Sequence, residues 1–186
     1  MKPVIISYFT NDEYHEEAKK LIKSIEEHAP DFAMDIRRAP DFGDWRLNTA
    51  QKAQFITAML NAYQKPVLFV DADAEFYARP VIFEQLAEDV EMAYHLRHGD
   101  ELLTGTIYMA PTEKIYDVLA RWNTKSMGNI NVWEQKHLEA VLREGIPPKT
   151  VILPVEYCSV FDGDDRPDSP IIVHNQASRR LKKLKD

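Results

Sequence analysis

Two aspartates separated by one alanine, Asp71-Ala72-Asp73, are the side chains of this sequence best placed to do chemistry. Residues i and i+2 of an extended chain project the same way, and the small Ala72 leaves the position between them open. Two carboxylates so close resist joint ionisation, and a bound cation is the natural compensation. Oxygen ligands favour Mg²⁺ or Mn²⁺, ions that keep positions open for phosphate oxygens. The pair could instead cap the next helix or decorate a turn. Its placement makes the cation reading the more specific one. It directly follows Val67-Leu68-Phe69-Val70, apolar at every position, the pattern of a strand buried on both faces of a parallel sheet.

Other candidates are weaker. Asn131-x-x-Glu134 fits a capping box, with Glu at the third helical position reaching back to the cap. Asp162-Gly163-Asp164-Asp165 resembles part of a calcium loop but lacks the remaining ligands and the terminal Glu, so it reads as a solvated loop. His95 and His98 flank a turn without the spaced partners of a zinc site. Arg179-Arg180-Leu181-Lys182-Lys183-Leu184-Lys185 is a basic tail. It could close over a diphosphate, touch an anionic membrane, or be a solvated helix.

The elements that must position these residues alternate between strand and helix. Val4–Phe9 reads as a buried strand. Asn11-Asp12 caps a helix with Tyr14, Ala18, Leu21, Ile22 and Ile25 at helical spacing. Phe32–Ile36 reads as a second strand. Asn48-Thr49 is expected to cap a helix running to Tyr63, and Pro66 opens the strand Val67–Val70. A helix is expected from Pro80. Glu91–Leu96 and Leu102–Ala110 read as strands joined through His98-Gly99-Asp100. Thr112 caps a helix with Ile115, Val118, Leu119 and Trp122 on one face. Asn131 is expected to start another, ending near Gly145, before closing strands at Thr150–Leu153 and Ile171–Val173. Such alternation predicts an α/β domain with a mostly parallel sheet, whose ligands bind beyond the carboxyl ends of the strands.

The bulk properties narrow the function. At 186 residues, with 45% hydrophobic residues and neither repeat nor linker, the chain reads as one domain, 1–186, ending in the basic tail 177–186. Its apolar runs are far shorter than the roughly 20 residues that span a bilayer, and the N-terminus lacks the apolar stretch of a signal peptide. The single Cys158 excludes an internal disulfide framework. The expectation is a soluble cytoplasmic protein. A net charge of −7 argues against nucleic acid as a partner.

Against these elements, Tyr63 through Pro80, read as Tyr-x-x-Pro-Val-Leu-Phe-Val-Asp-Ala-Asp-Ala-Glu-Phe-Tyr-Ala-Arg-Pro, resembles the metal-binding segment of GT-A fold nucleotide-diphospho-sugar glycosyltransferases. Further matches follow in the same order. Leu103-Thr104-Gly105-Thr106-Ile107-Tyr108-Met109 resembles the small-residue strand lining the sugar and acceptor pocket. Trp133-Glu134-Gln135 resembles an acidic-Gln pair at a helix start. Ile152-Leu-Pro-x-x-Tyr157-Cys-x-x-Phe161 resembles the late strand and loop, and Ile172-Val173-His174-Asn175 a C-terminal His segment. Each motif is short, but their shared order covers nearly the whole chain.

The resemblance implies a Rossmann-like three-layer α/β/α fold with a mostly parallel central sheet. It implies a nucleotide-diphospho-sugar donor, UDP-linked in the commoner case, and an acceptor that is a glycan, lipid, protein or small molecule. With Mn²⁺ or Mg²⁺ as cofactor, Asp73 would ligate directly and Asp71 would ligate or bind the ribose. His174 would be the third ligand, as in the retaining branch; a polar residue at a sheet edge is the alternative. Tyr8 or Phe9 would stack on the base, and Thr10 or Asn11 would hydrogen-bond it. Lys52 would meet the diphosphate, or lie on a solvated helix face. Thr104 and Gly105 would line the sugar pocket, with Arg179 over the diphosphate. Glu134, beside Gln135, would be a general base (inverting) or stabilise the oxocarbenium ion (retaining).

Two other readings stay open. Haloacid dehalogenase-type phosphatases also use Asp-x-Asp after a strand, but after the first strand, and Glu75 stands where Thr or Val is common. A catalytically inactive nucleotide-sugar binding module is the other.

Overall fold

A computed structural model describes residues 1–179 of the chain. Residues 180–186 of the basic tail therefore lie outside the described residues, and only its positions 177–179 are described. Three strands form the left half of the sheet: β1 (Val4–Phe9), β2 (Met34–Arg38) and β3 (Val67–Val70). They run parallel in the order β2-β1-β3. The right half is β6 (Glu101–Met109), β5 (Met92–Arg97) and β7 (Thr150–Ile152), in that order beyond β3. Only β6 runs against the other five. A second sheet of three short strands joins β4 (Ala74–Phe76), β9 (Ile172–His174) and β8 (Ser159–Val160).

Alternation along the buried strands sorts the core into two layers. Val4, Ile6 and Tyr8 of β1 and Val67 and Phe69 of β3 face one cluster, with α3 (Lys52–Tyr63), α5 (Glu113–Gly128) and α6 (Glu134–Glu144). Ile5, Leu68 and Val70 face the other, with α1 (Asp12–His28) and the small sheet. The result is the expected three-layer α/β/α arrangement. All four residues of β3 are buried, at roughly 1.5–3 kcal/mol for each large apolar side chain. That anchors the strand whose end carries Asp71.

Several caps and boundaries hold. Asn11 Oδ1 accepts from Tyr14 N, and Thr112 Oγ1 from Ile115 N. The left-handed His98 and Gly99 turn β5 into β6. Others are corrected. The cap before α2 (Trp45–Ala50) is Asp44, not Asn48-Thr49. Asn48 sits inside that helix, and its side chain ties Phe42 N and Asp41 instead. The second strand begins at Met34 rather than Phe32. From Pro80 only the one-turn α4 (Ile82–Gln85) forms. The capping box at Asn131 does not form either. Its amide N–H donates to Asn129 Oδ1 and its Oδ1 accepts from Arg46, so the chain turns and α6 starts only at Glu134.

Candidate active site

The carboxyl ends of β1, β2 and β3 open into a cleft of about 660 Å³, within the range of ligand pockets. Every site residue named from the sequence lines it. Two local features build its floor. Antiparallel β6 overshoots the end of β3, and Asp71 N donates to Gly105 O there. In addition, β5 and β6 pair at Tyr94–Ile107 and again at His95–Leu103, so Thr104-Gly105-Thr106 bulges out of the ladder. Bulges re-aim side chains next to sites; this one sends each threonine hydroxyl to a different polar centre.

The first centre is Asp71, Asp73 and His174, each offering a ligand atom within 4.8 Å of the others. Pairing of β4 with β9 sets Ala74 opposite His174 and so brings together residues a hundred positions apart. Asp73 Oδ2 accepts from Ala177 N at 2.7 Å, yet burial still pushes its carboxyl above the usual 3.8. His174 Nε2 lies 2.8 Å from Thr106 Oγ1, while its buried Nδ1 has no hydrogen-bond partner. With Nε2–H donated to Thr106, the Nδ1 lone pair is left for a ligand, the way metal-binding histidines commonly have their other ring N–H hydrogen-bonded. Burial opposes the charged imidazole, but Cys158 and Asp71 outweigh it, and the ring titrates above 6.5. Gly105 leaves room for this ring: a Cβ there would meet it at 2.9–3.1 Å. Two carboxylates and an orphaned imidazole nitrogen suit a divalent cation such as Mn²⁺.

The second centre is Lys52, at the first turn of α3. A cation there opposes the helix dipole, and Lys52 is only 3% exposed. Its Nζ lies 3.0 Å from Asp71 Oδ1, 2.9 Å from Glu134 Oε1 and 3.2 Å from both Thr104 O and Thr104 Oγ1. Burial works against its charge, but the two carboxylates overcome this and raise its pKa well above 10.5. The solvated-face reading of Lys52 is thereby overturned. Three N–H donors shared among four acceptors of the chain leave none spare for a diphosphate. Glu134 also accepts from Thr104 Oγ1 at 2.9 and 3.2 Å. Its backbone carbonyl accepts from the buried Trp122 indole at 2.7 Å, which pins the start of α6.

The remaining residues stand around these centres. The Tyr8 ring packs against Phe55 and Phe69, and its hydroxyl donates to Asn48 O. Phe9 stacks on His15 at 4.6 Å. Thr10 Oγ1 accepts from Asn48, and Asn11 serves as the cap of α1. Gln135 donates to the Glu101 carboxylate rather than toward Asp71 or Asp73. Arg179 is ion-paired with Asp162 at 2.8 Å, and Asp164 with Arg97 at 2.6 Å, so the acidic loop is held by arginines of the cleft. The sequence named none of Thr106, Tyr14, Trp45, Asn48 or Trp133 as an individual site residue, though Thr106 and Trp133 stood within the matched motifs and Asn48 was expected only as a cap; all are at or beside the cleft. Thr106 had a signal: it stands two residues after Thr104 on one strand.

Comparison with solved structures places this fold. The chain superposes over its whole length (100%) on 99% of a glycosyltransferase involved in the glycosylation of the major capsid of PBCV-1, with a TM-score of 0.72 and 12% identity. It also matches, over 94% of its length, 45% of the bifunctional glycosyltransferase WbbM, with a TM-score of 0.65 and 14% identity. The chain has the GT-A-like, Rossmann-type fold of these structures, and at such identities the likeness is one of fold. No protein-family profile and no curated protein sequence matches it. Among the described residues no helix is long and apolar enough to cross a membrane.

Proposed function

We propose that this chain is a metal-dependent glycosyltransferase that moves a sugar from a nucleotide-diphosphate donor, UDP-linked in our reading, to an acceptor hydroxyl. The observation that carries the reading is the Asp71–Asp73–His174 group, with its orphaned Nδ1, on the floor of a cleft in this fold. These three residues would hold Mn²⁺ or Mg²⁺, which would supply a Lewis acid for the leaving diphosphate.

The chain's own residues do the rest. Thr106 orients the His174 ring and Ala177 N holds Asp73. The loop Phe9-Thr10-Asn11 and the Asn48–Asp41 pair present polar and aromatic groups where the parallel strands end, the expected place for the nucleotide. In the transfer, the acceptor oxygen replaces the diphosphate oxygen at the anomeric carbon, and the diphosphate departs with the bonding electrons. Positive charge grows on the sugar ring as it leaves. Glu134 is a carboxylate held by an ammonium and a hydroxyl, pre-set in charge and orientation. We assign it the stabilisation of that positive charge, the role expected on the retaining path. Arg179, at the cleft wall, is available to the diphosphate once released from Asp162.

The test is a thermal-shift titration of nucleotide diphosphates with and without Mn²⁺, followed by donor turnover. UDP is expected to stabilise the protein only with Mn²⁺, and a UDP-sugar to be hydrolysed slowly. If no nucleotide diphosphate stabilises the fold under either condition, the reading fails.

A further inference from the structure

Trp133 is 60% exposed, and its indole borders the cleft. Removing a large aromatic from water is favourable, so one left open in a concave site is a candidate contact surface for a ligand. Only two large hydrophobics exposed by more than a third line this cleft among the described residues, Trp45 and Trp133. They differ in what they touch. Trp45 is hydrogen-bonded to the hydroxyl of Tyr14, whose helix follows the loop after β1. Trp133 has no ring contact or side-chain hydrogen bond among the described residues. It is nevertheless held on a rigid base. The next residue is Glu134, anchored through its carbonyl by Trp122 and through its carboxylate by Lys52 and Thr104. On its other side, Asn131 is tied to Arg46.

We propose that Trp133 is the platform of the acceptor subsite, and that the acceptor presents a sugar ring. This rests on the glycosyl-transfer reading of the cleft. A sugar has an apolar C–H face and a rim of hydroxyls. The indole offers the complementary flat apolar surface, and Glu101 and Gln135, hydrogen-bonded to each other at 3.2 Å, offer acceptors and donors at the cleft wall. Adjacency to Glu134 sets a ring stacked on Trp133 beside the reaction centre.

The experiment is saturation-transfer NMR on the full chain with UDP and Mn²⁺, using methyl glycosides of glucose, galactose, mannose, rhamnose, fucose and N-acetylglucosamine as probes. At least one glycoside is expected to bind through its ring C–H protons. Trp133→Ala should weaken that binding about tenfold or more, and Trp133→Phe should largely restore it. The side chain is exposed, so the melting temperature of both variants should stay close to that of the parent. Absence of binding by every glycoside, or equal binding to Trp133→Ala, overturns the proposal. The UDP signals in the same samples separate the two readings. UDP bound without any glycoside removes the sugar-acceptor subsite alone. Glycosides bound through Trp133 without UDP keep the sugar subsite and remove the transferase reading.

Discussion

Asp71 belongs to two polar centres that lie side by side and are built on opposite terms. In one, the Lys52 ammonium is buried and every acceptor around it comes from the chain itself. In the other, two carboxylates and an imidazole converge with the buried His174 Nδ1 unpartnered and Asp73 pushed toward its protonated form. The first is closed: the donors of its ammonium are all taken by acceptors of the chain, and adding a ligand would break bonds. The second is open: the Lys52 ammonium reaches it only through the shared Asp71, and a divalent cation would complete it. A closed centre holds geometry; an open one binds. Asp71, with 39% of its side chain exposed, links the two.

The largest contrast should come from emptying the open centre. Asp73→Ala is expected to abolish Mn²⁺-dependent stabilisation and turnover, as loss of a direct metal ligand should. Burial already penalises the Asp73 charge, so the metal-free melting temperature should change little. Full activity in this variant would remove the metal site. Next, Glu134→Gln retains an oxygen for Lys52 and Thr104 but removes the charge. Transfer should fall by about 10²–10³-fold, the scale of losing one electrostatic stabiliser, with UDP affinity preserved by calorimetry. Unchanged turnover would return Glu134 to a structural role.

Breaking the closed centre should read out as stability instead. Lys52→Met strands Glu134 and Asp71 without their cation, at a cost of about 3 kcal/mol for a broken buried pair, seen as a lower urea midpoint. A second change, Glu134→Gln, should recover part of that loss; no recovery would mean the two are not coupled. A smaller effect is expected from Gly105→Ala. Its methyl would press on the His174 ring, weakening Mn²⁺ binding roughly tenfold in a direct titration.

A graded pH effect sharpens the open centre. His174 titrates above 6.5 and Asp73 above 3.8, so protons compete with the metal for both. Each bound proton must leave before ligation. Mn²⁺ affinity should therefore rise as the pH increases through the folded pKa of His174 and fall below it, by up to about tenfold per unit for one proton. Stability of the Lys52 centre should be flat over the same range, because its ammonium titrates far above it.

The chain pattern carried the buried strand before Asp71, the helices capped by Asn11 and Thr112, and the α/β layering, because each rests on spacing within one segment. Where two caps competed nearby, the pattern misled. Asp44 captured the helix start assigned to Asn48, and the Asn129–Asn131 turn cancelled the capping box at Glu134. That cancellation matters, because it leaves the Lys52 and Thr104 contacts as the reason for a glutamate at that position. Lys52 was the least readable residue. A lysine at a helix start looks solvated until the two carboxylates that bury it are in place.

By itself the amino-acid order determined that a carboxylate pair stands at the end of a strand buried on both faces, since apolar periodicity and turn chemistry act over a few neighbouring residues. The ordered motifs pointed to His174, Lys52, Thr104 and Glu134, and the tertiary structure decided how they meet around that pair. The β4–β9 pairing delivers His174, the bulge in β6 delivers Thr104 and Thr106, and the approach of α3 to α6 closes the Lys52 cluster. Those meetings depend on strand register and on helix packing across the whole chain, and side chains a hundred residues apart leave no mark in local spacing.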